Sequence, residues 1–247
     1  MIELLLAASL AVSGCDAPHR VESEATVIGR AVELEGATVR YCEYFLPQGP
    51  GQVRVVYYAP GEPEGTKIAE KKITGDEGPA GLLQDTRPQI SQEDFRNGEV
   101  RQATRTPEGW RLRYREGQDS RYRDDTFSES ELDVIDAGFD ALVRQHWSEL
   151  KAGEKLRFRF ASPVHGRAIG LRAAATPCQN PEADLCIRVD LAQAFLRWIA
   201  GGDIYLEYIA TRDKSGGGPR LSRFVGVTNL LDDSGDPQRL KIDYFYR

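Results

Sequence analysis

Alternation with a period of two constrains this chain more than any other feature. Apolar and polar residues take turns through short segments that stop at Gly, Pro, Asp or Asn. That pattern puts one side of each segment in a core and the other in water, as in β-strands. It predicts strands at 24–34, 37–46, 52–59, 66–74, 99–106, 110–116, 120–127, 155–162, 167–175, 185–189, 204–211, 219–228 and 238–246. Short turn sequences such as Glu35-Gly36, Thr106-Pro107-Glu108-Gly109 and Asp232-Asp233-Ser234-Gly235-Asp236 join most of them. Links that short make neighbours antiparallel, because a parallel pair needs a long crossover. Gly75, Gly78, Pro79, Gly81 and Pro88 mark 75–98 as a long irregular loop.

Two helical patterns interrupt the strands. The first covers 131–151, with Ser128 and Glu131 spaced as a capping box and Gly153 as its stop. Leu132, Ile135, Phe139, Leu142, Val143, Trp147 and Leu150 make its apolar stripe. The second covers 191–200, with Asp190 as N-cap and Gly201-Gly202 beyond its end. The expected fold is mainly β (α+β): one large curved antiparallel sheet or half-barrel, with two helices packed on it.

The first residues carry a separate signal. Leu4 to Val12 is an uncharged apolar run, followed at once by Val12-Ser13-Gly14-Cys15. The run has the length of a signal-peptide core and is too short to cross a bilayer as a helix. The four residues resemble the lipobox of bacterial lipoproteins. That resemblance implies cleavage before Cys15, a diacylglyceryl group on its sulfur and acylation of the new amino group. It divides the chain into a signal peptide (1–14), a lipidated Cys15 with a short linker (15–22) and a single β-rich domain (23–247). No Lys or Arg precedes the apolar run, which departs from the usual pattern. Asp16 resembles the inner-membrane retention signal of enteric lipoproteins. The expected location is a bacterial membrane, with the domain anchored by lipid and facing the periplasm.

Later segments resemble a family of uncharacterised bacterial envelope proteins. The likeness lies in Phe139-Asp140-Ala141-Leu142-Val143-Arg144-Gln145-His146-Trp147, in Arg157-Phe158-Arg159-Phe160 and in Phe224-Val225-Gly226-Val227-Thr228-Asn229-Leu230. More loosely, the architecture is similar to the LolA/LolB half-barrels, which shelter acyl chains. Neither likeness brings catalytic residues with it.

Cys178 and Cys186 flank a turn-rich stretch, and in an exported chain they read as a local disulfide. Cys42 is then unpaired and reads as a small core residue. Acidic residues outnumber basic ones, 38 to 32, and no nucleic-acid motif is present, which argues against a nucleic-acid partner. No Ser nucleophile elbow, zinc-protease motif or phosphate loop appears. His146 reads as a helix-boundary residue, and His165 as a solvated turn histidine with no partner to orient it. Asp232, Ser234 and Asp236 imitate the start of a calcium loop, but Pro237 stands where such a loop needs Gly, so the segment reads as a hairpin turn. Glu43, Glu207 and Asp243 are strand acids that would act together only if the fold brought them to one place. No cofactor or metal site is expected.

Alternation also sorts Arg111, Arg113 and Arg115 to one side of their strand, and Trp110, Leu112 and Tyr114 to the other. Arg157 and Arg159 alternate with Phe158 and Phe160 in the same way. The arginines form a candidate basic surface for anionic headgroups or an acidic partner, or an ordinary solvated face. Trp110, Tyr114, Phe158, Phe160, Trp198 and Tyr208 are the candidate lining of an apolar groove. The leading expectation is a non-catalytic, membrane-anchored lipoprotein that binds an apolar ligand or an acylated partner on the concave sheet. The alternative is a scaffold lipoprotein of an envelope complex with a filled interior, and an enzyme of unknown class comes third.

Overall fold

The structure, a computed structural model, describes residues 12–61, 63–78, 82–191, 202–210 and 218–247. Helix α1 (His19–Glu24) leads into strands β1 (Val27–Glu33), β2 (Val39–Gly49), β3 (Gln52–Ala59), β4 (Thr66–Thr74), β5 (Gln89–Asp94), β6 (Glu99–Thr106), β7 (Gly109–Arg115) and β8 (Arg123–Phe127). The short β9 (Val134–Ile135) precedes helices α2 (Phe139–Gln145) and α3 (Trp147–Lys151). Strands β10 (Leu156–Ala161), β11 (Ile169–Thr176), β12 (Leu185–Leu191), β13 (Ile204–Ile209), β14 (Arg220–Leu231) and β15 (Pro237–Tyr246) complete the chain.

All fifteen strands join one sheet in the order β8-β7-β6-β5-β4-β3-β2-β1-β15-β14-β13-β12-β11-β10-β9. The first strand pairs with the last, Val27 opposite Tyr246, so two meanders run outward from the place where the chain's ends meet. Every pairing is antiparallel except β9 with β10. Among the described residues no strand ladder closes the sheet. Side chains span its two edges instead: Arg123 at the β8 edge donates to the carbonyls of Pro163 (2.7 Å) and Val164 (2.8 Å), just beyond β10. Such contacts shield an edge that would otherwise offer unpaired backbone groups.

The concave side holds two cores. One joins Tyr41, Val55, Tyr57, Ile73, Ile90, Trp110 and Leu112 on the first meander to Leu240 and Ile242 on β15 and to Leu132 and Ile135. The other packs Leu142, Val143 and Leu150 against Phe158, Ile187, Leu206 and Tyr208 under β10–β13. A third apolar cluster lies on the outer face of β1–β3, where Val12, Cys15, Ala17 and Ala25 cover Ile28, Cys42, Tyr44, Leu46 and Val56.

Three elements differ from the sequence reading. Residues 89–94 form β5 inside the supposed loop; Ile90, Gln92 and Asp94 are buried, while Gln89, Ser91 and Glu93 are exposed. The supposed 131–151 helix starts only at Phe139. The Ser128–Glu131 capping box closes a single 3-10 turn, and Leu132 to Ile135 run extended, with the Arg159 backbone and side chain held on Asp133. Asp136 then takes a left-handed φ of 42°, which splits the apolar stripe. Leu132 and Ile135 enter the first core, while Phe139, Leu142, Val143, Trp147 and Leu150 enter the second. A further break at His146 divides α2 from α3. The second expected helix, together with Trp198, lies outside the described residues apart from Leu191. Asp190 itself is part of β12, where Arg172 holds it.

Candidate functional site

The inward side chains of the first meander fall into rows across the sheet. Val53, Ile73, Ile90, Ala103 and Leu112 form an apolar row. The next is Phe45, Val55, Lys71, Gln92, Arg101 and Tyr114. The third is Glu43, Tyr57, Ala69, Asp94 and Glu99. A cationic row therefore lies beside an acidic one inside the protein. Lys71, Gln92, Asp94, Glu99, Arg101 and Glu43 are all at most 5% exposed. Charges this deep need partners, and Lys71, Asp94, Glu99 and Arg101 have them. Arg101 meets Glu99 at 2.8 Å, and Gln92 donates to the Asn229 carbonyl at 3.0 Å. Arg96 grips Asp94 at 2.6 Å and reaches across to Asp233 at 2.9 Å.

The most concentrated chemistry is a triad of Glu43 (β2), Lys71 (β4) and Asp136. Lys71 Nζ donates to Asp136 Oδ1, with both side chains almost fully buried. The bond holds Asp136 in a backbone region that costs a non-glycine residue about 1 kcal/mol or more. Burial pushes the Glu43 carboxyl up to about 7, against the pull of Lys71 and of a hydrogen bond with Tyr244. Burial raises Tyr41, Tyr57 and Tyr244 as well, and the Glu43 charge adds to each. Gly29 on β1 leaves room for the pair: a methyl group there would stand 2.9 Å from Tyr244 Cε1 and 3.0 Å from Glu43 Oε2. The sequence reading passed over Lys71, Gln92 and Arg101 as inward residues. Their signal is parity, since Lys71 alternates in step with Ala69 and Ile73, and Arg101 with Ala103.

The three strand acids do not meet. Glu43 faces inward. Glu207 and Asp243 face outward on either side of Arg223, at 3.5 and 2.6 Å. His165 lies exposed in its turn; partial burial, then Arg101, Arg167 and Arg123, push its imidazole below the usual pKa. His146 makes a 3.5 Å contact with Glu149. Asp232 accepts the backbone amides of Ser234 and Asp236 within its own hairpin turn, and no group of metal-ligating side chains occurs among the described residues.

The proposed apolar groove is corrected. Trp110 lies in the first core, Phe158 and Tyr208 in the second, all at most 5% exposed, and Phe160 packs on the second core. Tyr114 is half-buried beside Arg123 and rises to about 12 through burial, then the nearby Glu99 charge. Trp110, Phe158 and Tyr208 are thus packed into cores, with Phe160 against one of them, and do not line an open groove. Of the cavities described, one of about 160 Å³ is lined by Val39, Arg40, Tyr41, Ala59, Arg96, Asp233 and Gln238, and one of about 40 Å³ by residues of β11–β13. Both are below the roughly 300 Å³ at which small-molecule sites begin.

The arginines do project outward, but acids meet several of them. Arg111 and Arg113 share Asp124 at 2.8 and 3.7 Å, and Arg159 holds Asp133 at 2.7 Å. Arg113 and Arg115 stack on the Tyr122 ring, while Arg157 is exposed. Across the junction of the two meanders an outer row runs Cys186, Glu207, Arg223, Asp243, Arg30 and Cys42. Ion pairs of this kind on outward positions differ from the apolar band of a membrane-spanning barrel. No helix among the described residues is long and apolar enough to cross a membrane.

Cysteine pairing is corrected too. Cys178 is joined to Cys186, and Cys15 is joined to Cys42, so Cys42 is not unpaired. The expected thioether needs the Cys15 sulfur that this bond occupies. Residues 12–25 are strapped across β1–β3, where Cys15 comes within reach of Cys42. Ala17 donates to Tyr44 Oη at 3.2 Å, and the Gly65 amide donates to the Asp16 carbonyl.

No family model and no curated protein matches the chain. Among solved structures, a porin-like protein from Bacteroides uniformis aligns with 90% of this chain and 98% of its own, at 12% identity and a TM-score of 0.31. A likeness at that level carries no argument about this chain.

Proposed function

We propose that this chain is a non-catalytic protein of the bacterial envelope that works through its outer surface, as an interaction or scaffold component of an envelope complex. The observation that carries this reading is the burial of the inward aromatic side chains in two packed cores. Helices α2 and α3 pack under β10–β13, and the inward apolar residues of the first meander pack in the other core. An acyl carrier needs an empty apolar groove there. Two disulfides favour an oxidising compartment, and the leader-like first residues favour export. An acyl anchor on Cys15 and the Cys15–Cys42 bond are alternative fates of one sulfur.

Native mass spectrometry of protein from bacterial cells, with a titration by a fluorescent fatty acid, tests the reading. The expected result is a lipid-free mass and no saturable binding. Co-purified lipid, or binding abolished by a substitution in the second core of a variant that still folds, would restore the carrier reading.

A further inference from the structure

We propose that Glu43, Lys71 and Asp136 form a pH-sensitive latch that ties the segment carrying α2 and α3 to the inner wall of β2–β4. The geometry is a buried ammonium bonded to one carboxylate, with a second carboxyl buried on the same inner wall. The three side chains come from β2, β4 and the turn before α2, and all three residues are at most 8% exposed. Lys71 gives its hydrogen bond to Asp136. Glu43 lies within electrostatic reach of the same ammonium.

Among the described residues, the groups around Glu43 bring no second cation to it. From β15 comes the Tyr244 hydroxyl, from β3 Tyr57, from its own strand Tyr41, and from β1 only the bare Cα of Gly29. Arg101 on β6 acts on Tyr41 and Tyr57 and is spent on Glu99. With Glu43 protonated, the triad holds one positive and one negative charge and is neutral. With Glu43 ionised, two carboxylates compete for one ammonium and the enclosed site becomes negative. Asp136 then loses part of the bond that offsets its left-handed backbone, and α2 begins three residues later. Burial sets the Glu43 transition near neutrality, so the latch is closed in mild acid and loosens as pH rises through about 7. Because the latch joins the two cores, this loosening changes how firmly they are held together and leaves the outer face intact.

Hydrogen exchange of the full chain between about pH 5.5 and 8.5, corrected for intrinsic rates, reads the latch at amides 134–151. Opening in the wild type is expected to rise about tenfold across that range. In Glu43→Gln, which fixes the neutral form at the same size, it is expected to stay flat. The same rise in both proteins, or a flat wild type, overturns the proposal. Carbon NMR of the Glu43 carboxyl gives a second reading that needs no variant. A midpoint near 7 supports the latch, and a midpoint in the ordinary carboxylate range ends it.

Discussion

Lys71 and Asp136 stand sixty-five residues apart and share a buried hydrogen bond where the two cores meet. Asparagine tolerates the left-handed backbone of Asp136 but carries no charge. Removing one partner of a buried ion pair typically costs about 3–5 kcal/mol. Asp136→Asn is expected to cost less, about 2–3 kcal/mol, because Glu43 then ionises to neutralise Lys71. The double variant Asp136→Asn/Glu43→Gln leaves Lys71 alone, so its cost should exceed the sum of the two single costs. Denaturant unfolding of all four proteins measures this coupling. A simple sum would mean that Glu43 does not interact with Lys71.

Glu43 also sets a trend in overall stability. Its carboxyl titrates at 4.5 ordinarily and at about 7 in the folded chain. Below pH 4.5 it is protonated in both states and contributes nothing to the trend. Between 4.5 and about 7 the unfolded chain releases the proton and the folded chain keeps it, so stability falls as pH rises. Above about 7 both states are ionised and the loss is complete, at about 3 kcal/mol. Glu43→Gln should remove this slope, and midpoints measured from pH 4 to pH 8 will show whether it does.

Alternation revealed the strands because a half-buried strand has to alternate. It underplayed β5, since Ser91, Gln92, Glu93 and Asp94 look polar throughout and only two of the four face inward. The charged interior was hidden for the same reason: Lys71 is paired with Asp136 and Arg101 with Glu99, while residue type alone places them in water. The apolar stripe of 132–150 was legible, but the reversal at Asp136 that divides it is a tertiary effect, with Lys71 supplying the compensation. Local spacing pointed to the Cys178–Cys186 pair. Joining Cys15 to Cys42 requires the path of the N-terminal segment over β1–β3, and no short-range signal encodes that path.

The purified chain is expected to show no free thiol after denaturation, with a disulfide-linked peptide pair containing Cys15 and Cys42. That bond closes a span of 27 residues, which by loop entropy is worth roughly 3 kcal/mol or more. Cys42→Ser should therefore lower the melting temperature and speed tryptic cleavage after the exposed Arg20. A diacylglyceryl mass on Cys15 together with a free Cys42 thiol would show that the sulfur takes the other fate.

Arginines on the two faces of the sheet should behave differently. Arg223, one third exposed between Glu207 and Asp243, sits in a partly solvated row. Arg223→Ala should cost about 1 kcal/mol or less, and the cost should shrink in high salt. Arg101→Met leaves the Glu99 carboxylate buried without its partner and should cost about 3 kcal/mol or more, with little response to salt. Equal costs would contradict the assignment of inner and outer rows.

The outer arginines of β7 bear on the choice of partner. Arg111 and Arg113 converge on Asp124, whose carboxyl is held below its usual pKa by the Arg111 hydrogen bond. Three guanidiniums against one carboxylate leave a small positive excess. Each basic residue near an anionic membrane contributes about 1 kcal/mol, and salt screens it within about 8 Å at physiological ionic strength. An excess this small should retain the protein on vesicles rich in phosphatidylserine only at low salt, with release near physiological salt. Changing Arg111, Arg113 and Arg115 to Glu should abolish the low-salt retention without affecting folding, because all three point away from both cores. Retention that survives high salt, or that the triple variant keeps, would show that another surface makes the contact.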